Sequence, residues 1–318
     1  MELRHFYSFV AVAEELSFTK AAKRLQIAQP PVSRHIQDLE SELGIRLLER
    51  KRAKVSLTDA GRSFLNEARA VLQHVSQAVE AAQQVSKGWA GAVRLGIAKG
   101  LGDIVSRVLN EYLRIASKVE IDVLDIPSGF QAAALVERRI DVGFLRPPIG
   151  ATQLVSARLF QEPFEVVLRK ASPLAKRKSL RVRDLKDETL LLIDRSISPG
   201  VYDQTLALFR QHSIEPKTIP TSNIASDQAG SILVDSGKGI FIAVGTSPMH
   251  PAFSDRLIAL PLKDSSAFTD VHVAWRKGEQ SKTTLDFVRF TRDAFHVKKG
   301  MMWNGKLARA VKPRPKYR

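Results

Sequence analysis

The sequence predicts an α+β, multidomain protein: a small N-terminal helical unit containing a winged helix-turn-helix, one long helix, and a larger α/β unit of two lobes. Three observations carry that expectation. The chain has 318 residues, more than one ordinary domain. Up to Lys87 the apolar residues recur at helical spacing, and from Ala92 onward short strand-like runs alternate with helical ones. Between the two regimes lies Gly88-Trp89-Ala90-Gly91, a glycine-flanked break. The expected divisions are 1–57, 58–87 and 91–295, with 296–318 as a tail.

In the first unit, Phe6, Phe9, Val10 and Ala13 mark one helix, and Ser17 offers an N-cap for a second over Thr19–Leu25. A break at Gln26–Gln29 leads into Pro30-Pro31. Proline suits a first helical turn because the N–H it lacks has no partner there. Val32, Ile36, Leu39 and Leu43 then give one apolar face, so a short helix is expected from Pro30 to about Glu40, with Gly44 as its C-terminal cap. Arg50 through Leu57 reads as a basic turn and a short hairpin, a wing. Thr58 can cap the next helix, with Asp59 at its positive end. Leu65, Ala68, Leu72, Val75, Val79 and Ala82 alternate steps of three and four along it, a seam that calls for a second helix.

Beyond the break, strands are expected at Val93–Ala98, Val119–Ile126, Asp141–Leu145, Phe164–Leu168, Leu190–Ile193, Lys217–Ile219, Ile240–Val244 and Val271–Trp275. Helices are expected at Asp103–Arg114, Phe130–Arg138, Val201–His212, Ser226–Val234 and Thr283–Phe295. The opening βαβαβ run implies a parallel sheet with right-handed crossovers.

Composition narrows the function. Apolar residues make up 44% and charged ones 26%, enough for a real core. The net charge of +16 favours a polyanionic partner, nucleic acid or an anionic surface. Residues 1–90 hold 13 basic and 10 acidic side chains, whereas 296–318 hold 8 basic and none acidic. That tail reads as disordered; it either adds non-specific DNA affinity or solubilises the chain. The absence of cysteine rules out disulfides, Cys-ligated zinc, iron–sulfur clusters and thiol catalysis. Met1-Glu2-Leu3-Arg4-His5 has no apolar signal-peptide region, and no stretch reaches the roughly 18 uncharged apolar residues of a membrane helix. The expectation is a cytoplasmic protein with no membrane partner.

Two helices joined by a four-residue turn, the second short and amphipathic, form a helix-turn-helix. Its outward face offers Gln29, Ser33, Arg34 and Gln37, with Pro30 and Pro31 at the tip. Arginine forks onto guanine and glutamine onto adenine in the major groove. Arg50, Lys51, Arg52 and Lys54 on the wing suit phosphates or the minor groove. A polar helix face alone is usually a solvated one; the capped helix, Pro-Pro start, basic wing and seam in this order argue otherwise.

Residues 1–61 resemble the DNA-binding domain of LysR-type transcriptional regulators. The matching text includes Phe9-Val10-Ala11-Val12-Ala13-Glu14-Glu15, Ser17-Phe18-Thr19-Lys20-Ala21-Ala22, Gln29-Pro30-Pro31-Val32-Ser33-Arg34-His35-Ile36 and Leu57-Thr58-Asp59-Ala60-Gly61. One departure is Ala53, where the family often carries a basic residue. The resemblance implies a dimerising linker helix and a two-lobed effector-binding domain similar to type 2 periplasmic binding proteins. It also implies a bacterial homotetramer on double-stranded promoter DNA within the nucleoid, RNA polymerase as a further partner, and a small-molecule effector in the cleft.

Ligands of open α/β sheets sit beyond the carboxyl ends of strands. Three such ends present Lys99-Gly100, Ser128 and Arg146, positions that line the effector pocket in similar regulators; Pro199-Gly200 is a further candidate that turn chemistry explains equally well. Lys99 and Arg146 together would draw a carboxylate-bearing effector, unless either is already paired with Asp or Glu. No enzyme, cofactor or metal is expected. The chain has no Gly-x-Ser-x-Gly elbow and no His-x-x-x-His pair, and Gly237-Lys238-Gly239 lacks the Ser or Thr of a phosphate loop. A solute-binding protein would share the lobes but would leave the first 90 or so residues unexplained.

Overall fold

The computed structural model describes residues 1–51, 54–86, 91–220, 227–244 and 255–295. They fall into two compact units, one comprising the chain through the long helix together with residues 136–139, the other the rest of the chain from the first strand after that helix.

In the first unit, α1 (Leu3–Glu15), α2 (Phe18–Leu25) and α3 (Gln29–Leu43) precede the hairpin of β1 (Leu48–Lys51) and β2 (Lys54–Leu57), and α4 (Asp59–Ser86) follows. The caps explain the boundaries. The Ser17 hydroxyl accepts from the Lys20 amide at 3.3 Å, and Gly44 ends α3 in the left-handed region at φ 67°. α3 starts at Gln29, one residue before the expected Pro30, with both prolines in its first turn as anticipated, and it runs past Glu40 to Leu43, up to the expected cap at Gly44. Val32, Ile36 and Leu39 are fully buried against Phe9, Val12, Ala21 and Leu47. Glu14 ties three helices together, accepting from Arg24 at 2.6 Å and from Arg69 of α4 at 2.7 Å. Burial raises the Glu14 carboxyl, but the hydrogen bonds from Arg69 and Arg24 outweigh it and hold the group below its ordinary value.

The wing is anchored from behind. Glu40 on α3 accepts from the amides of Leu47 at 2.7 Å and Leu48 at 2.9 Å, which fixes the chain as it enters β1. Thr58 accepts from the Gly61 amide at 2.8 Å, the cap expected for α4. A Cβ on Gly61 would run into the backbone carbonyl of Leu47. Gly61→Ala should therefore loosen the wing against α4 and lower the melting temperature of this unit by several degrees, a loss of about 1–3 kcal/mol as for other overpacked sites. An unchanged melting curve would refute this packing.

The seam expected along α4 divides in two. Ala68 is fully buried, and Leu65 and Leu72 pack on the same core as α1. Val79 is 53% exposed, and Val71 and Ala82 are exposed too.

The second unit builds its first lobe on parallel strands β3 (Gly91–Ile97), β4 (Val119–Asp125) and β5 (Val142–Leu145), with α5 (Gly102–Ile115) and α6 (Ser128–Val136) between them. Its second lobe has β7 (Thr189–Leu192), α7 (Pro199–Gln211), β8 (Lys217–Pro220), α8 (Asp227–Asp235) and β9 (Ile240–Val244), again with parallel pairing. The opening βαβαβ run is parallel as expected, while the sheet as a whole is mixed because two further strands join it antiparallel. β6 (Leu154–Arg169) is a 16-residue strand where only Phe164–Leu168 was expected, and it pairs antiparallel with β9, with β10 (Leu257–Pro261) and with β11 (Phe268–Arg276). The described strands run β4-β3-β5-β11-β6-β9-β7-β8, with β10 beside β6. β6 and β11 are thus the two crossings that join the lobes. α9 (Lys282–Ala294) returns to the first lobe, where Phe287 packs edge-on against Tyr112 at 5.0 Å. Burial, with Asp286 nearby, pushes the Tyr112 hydroxyl up to about 12.

A buried charge cluster locks the start of β5. Asp141 accepts from Arg94 at 3.1 Å and from Arg276 at 2.8 Å, and Arg276 also donates to the Ile140 carbonyl at 2.7 Å and to Glu279 at 2.6 Å. Burial raises the Asp141 carboxyl; its bonds to Arg94 and Arg276 reverse that and keep it below the ordinary value. No helix of the described residues is long and apolar enough to cross a membrane.

Candidate nucleic-acid interface and ligand cleft

On α3, Gln29, Pro30, Pro31, Arg34 and Gln37 are all exposed, and Ser33 is partly so. The structure brings them onto one face, opposite the buried Val32, Ile36 and Leu39. Gln29 donates to the Ser33 hydroxyl at 3.0 Å, so two of these side chains already hold each other in place. Arg34 is 83% exposed on its side chain, and its one acidic partner among the described residues, Asp38, lies one turn away at 4.0 Å. Such an ion pair contributes little and is easily given up to a base or phosphate.

Beneath this face, the Ser8 hydroxyl meets His35 Nδ1 at 2.7 Å, and the rings of His5 and His35 lie 5.7 Å apart. Burial, then the nearby His5 and Arg4, lowers the affinity of His35 for a proton. The unfolded chain therefore binds that proton more readily, and stability is complete only above the unfolded value near 6.5. Thermal melts of the N-terminal unit should shift downward as pH falls below about 6.5, and His35→Gln should flatten that dependence. An identical pH slope in the variant would overturn the assignment.

On the wing, the backbones of Arg50, Lys51 and Lys54 belong to β1 and β2, with Lys51 opposite Lys54. Arg52 and Ala53 at its tip, and the side chains of Arg50, Lys51 and Lys54, lie outside the described residues, as do 87–90 and the tail 296–318.

In the second unit, a pocket between the lobes is lined by Lys99, Ser128 and Arg146 from the first lobe and by Ser198, Val201 and Phe241 from the second. The expected strand ends do converge. The expected pair of cations does not. Arg146 is buried and ion-paired with the buried Glu162 of β6 at 2.7 Å, while its Nη1 donates to the Lys99 carbonyl at 2.9 Å and its amide to the Ser128 hydroxyl at 3.1 Å. Its charge is neutralised within the fold, so Arg146 organises the wall of the pocket. Gly100 lies beside it at φ 84°, and a Cβ there would meet the Arg146 guanidinium at 3.4 Å.

Pro199 and Gly200 open α7, and a Cβ on Gly200 would strike the Pro147 carbonyl. Gly129 is equally tight against the Ser196 carbonyl, and its amide donates to Ile197 at 3.1 Å. These two glycines let the lobes approach. Ser198 was not among the expected residues. It occupies the N-cap position of α7 yet makes no cap bond, and its buried hydroxyl has no hydrogen-bond partner among the described residues. The sequence signal was there: serine directly before a proline that starts a helix.

A winged helix-turn-helix with an exposed recognition face, followed by a two-lobed domain whose cleft mixes apolar walls with a few polar groups, defines a DNA-binding regulator that also carries a small-molecule domain. Residues 3–62 match the bacterial regulatory helix-turn-helix protein family of the lysR type, and residues 86–296 match the LysR substrate binding domain. The chain belongs to the LysR family of transcriptional regulators. It is 35% identical over 284 residues to the HTH-type transcriptional regulator BenM of Acinetobacter baylyi, covering 88% of this chain and 92% of that one. It is also 35% identical over 220 residues to the regulator AlsR of Bacillus subtilis, covering 69% and 73%. The crystal structure of full-length BenM superimposes with a TM-score of 0.55 at 33% identity, covering 92% of this chain and 95% of that one. Full-length CbnR in complex with its target DNA shares the fold with a TM-score of 0.73 at 24% identity, covering 92% and 99%.

Proposed function

We propose that this regulator reads paired promoter half-sites with α3 and is switched by a small carboxylate-bearing effector bound between the lobes. The observation that carries the second half is Ser198. A buried hydroxyl without a partner costs about 1–3 kcal/mol unless something supplies the missing bond. It sits where α7 begins, and first-turn amides with the helix dipole favour an anion there. Lys99, at the rim, adds positive charge. The carboxylate is thus assigned to Ser198, the first turn of α7 at Pro199-Gly200, and Lys99, with Ser128, Gly100 and Arg146 shaping the opposite wall.

In the same reading, residues 1–57 bind DNA, 58–87 dimerise, 91–295 hold the effector, and the basic tail follows. The exposed Val71, Val79 and Ala82 support pairing of α4 with a second copy, and two such dimers would make the tetramer. A cytoplasmic, nucleoid-bound protein that contacts RNA polymerase is the cellular setting this implies. Isothermal titration against a panel of mono- and dicarboxylic acids tests the cleft. Binding of at least one acid is expected, weakened about tenfold or more by Ser198→Ala or Lys99→Ala, since a hydrogen bond to a charged group contributes about 1.5–3 kcal/mol. Tight binding of a neutral compound that Lys99→Ala leaves unchanged would contradict it.

A further inference from the structure

Away from the cleft, the second lobe carries the strongest local charge among the described residues. Residues 169–186 contain eight basic side chains and a single acidic one, Asp184, an excess larger than that of the whole N-terminal 90 residues. The segment runs from the end of β6 through two 3-10 turns, Pro173–Lys176 and Val182–Leu185.

It is a structured surface. Leu180, Val182 and Leu185 are buried in the core of the lobe, and Leu174 and Ala175 pack against it. The Leu180 amide donates to Pro261 at 3.0 Å, and the Val182 amide to the Asp264 carboxylate at 2.9 Å. With the apolar side chains turned inward, all eight cations point to solvent. Arg177 pairs with Asp184 at 2.6 Å. Among the described residues, Lys170, Lys176, Lys178 and Arg183 are exposed and have no acidic side chain within ion-pair distance.

We propose that this face is a second, sequence-independent contact for the phosphate backbone of duplex DNA, separate from the recognition helix and from the effector cleft. The chemistry selects that partner. A protein interface takes its affinity from buried aromatic and apolar anchors ringed by polar groups, and this face exposes none larger than Ala171 and Pro173. Single-stranded nucleic acid is held largely by stacking on aromatic side chains, and residues 169–186 contain no aromatic. Phosphates in regular array need only evenly placed cations. Each neutralised phosphate releases counterions and adds about 0.9 to the salt dependence of binding.

The test uses the full-length chain and a mixed-sequence 40-base-pair duplex, with affinity measured across a salt series. Changing Lys170, Lys176, Lys178 and Arg183 together to Gln should lower the slope of log affinity against log salt by about 3.6. The affinity lost between ~50 and ~200 mM salt should then shrink by about two orders of magnitude. Lys176→Gln/Lys178→Gln, confined to the exposed turn, should give about half that change in slope and guards against misfolding of the larger variant. The same decrement should appear in an Arg34→Ala background, which separates it from the recognition helix. A slope change below about 1 for the fourfold variant, with folding intact by circular dichroism, overturns the proposal. So does loss of polyglutamate binding without any change in the DNA slope, which would mark the face as one for acidic proteins.

Discussion

Replacing Arg34 with alanine should weaken binding to the operator by about 1–3 kcal/mol for each recognition helix engaged, or roughly 5- to 150-fold per half-site. Binding to scrambled duplex should fall far less, so the loss appears as discrimination. The structure explains why the effect should be large on DNA and small on folding. Arg34 is 83% exposed on its side chain and, among the described residues, is tied only to Asp38 at 4.0 Å, while the opposite face of α3 is locked into the core by Val32, Ile36 and Leu39. Lysine at this position should restore only part of the affinity, because an ammonium cannot fork onto two acceptors. Fluorescence anisotropy with an operator selected from random duplexes checks this. Equal losses on operator and scrambled DNA would assign Arg34 to the phosphates instead.

The largest stability effect should come from Glu162. It is buried on β6, and its carboxylate meets the Arg146 guanidinium at 2.7 Å. Glu162→Ala leaves a buried guanidinium without its counter-charge, which costs about 3–5 kcal/mol. Arg146→Ala should also destabilise, but the double variant should recover a good part of the loss, because an apolar wall is cheaper than one orphaned charge. Urea unfolding of the effector domain gives the cycle directly. Additive losses would mean the two side chains do not depend on each other. The functional corollary is that Arg146 cannot be spent on the effector's charge without exposing Glu162, which is why the anion is assigned to the α7 end of the cleft.

The parts visible in the sequence were those decided locally. Ser17, Gly44 and Thr58 announced their helix ends, since a cap reads only its own few neighbours. The inward face of α3 followed from spacing alone. What sequence reasoning missed depends on distant partners. β10 is a strand because β6, nearly ninety residues earlier, offers it an edge, and nothing in Leu257–Pro261 itself demands one. The first half of β6 mixes Ser156 and Arg158 among its apolar residues, so only Phe164–Leu168 stood out as a strand. With that strand unrecognised, Glu162 could not be placed opposite Arg146, and the arginine was expected to serve the ligand. The half of the α4 seam that packs on α1 was likewise indistinguishable by period from the half left exposed.

The central claim, that α3 reads specific DNA as part of a paired site, is tested most directly by DNase footprinting of the wild-type chain and of Arg34→Ala on the DNA upstream of its own and the neighbouring gene. The account predicts two protected half-sites about one helical turn or a multiple apart, faced by two recognition helices and lost together in the variant. Absence of protection by the wild-type chain, or an unaltered footprint in Arg34→Ala, would contradict it.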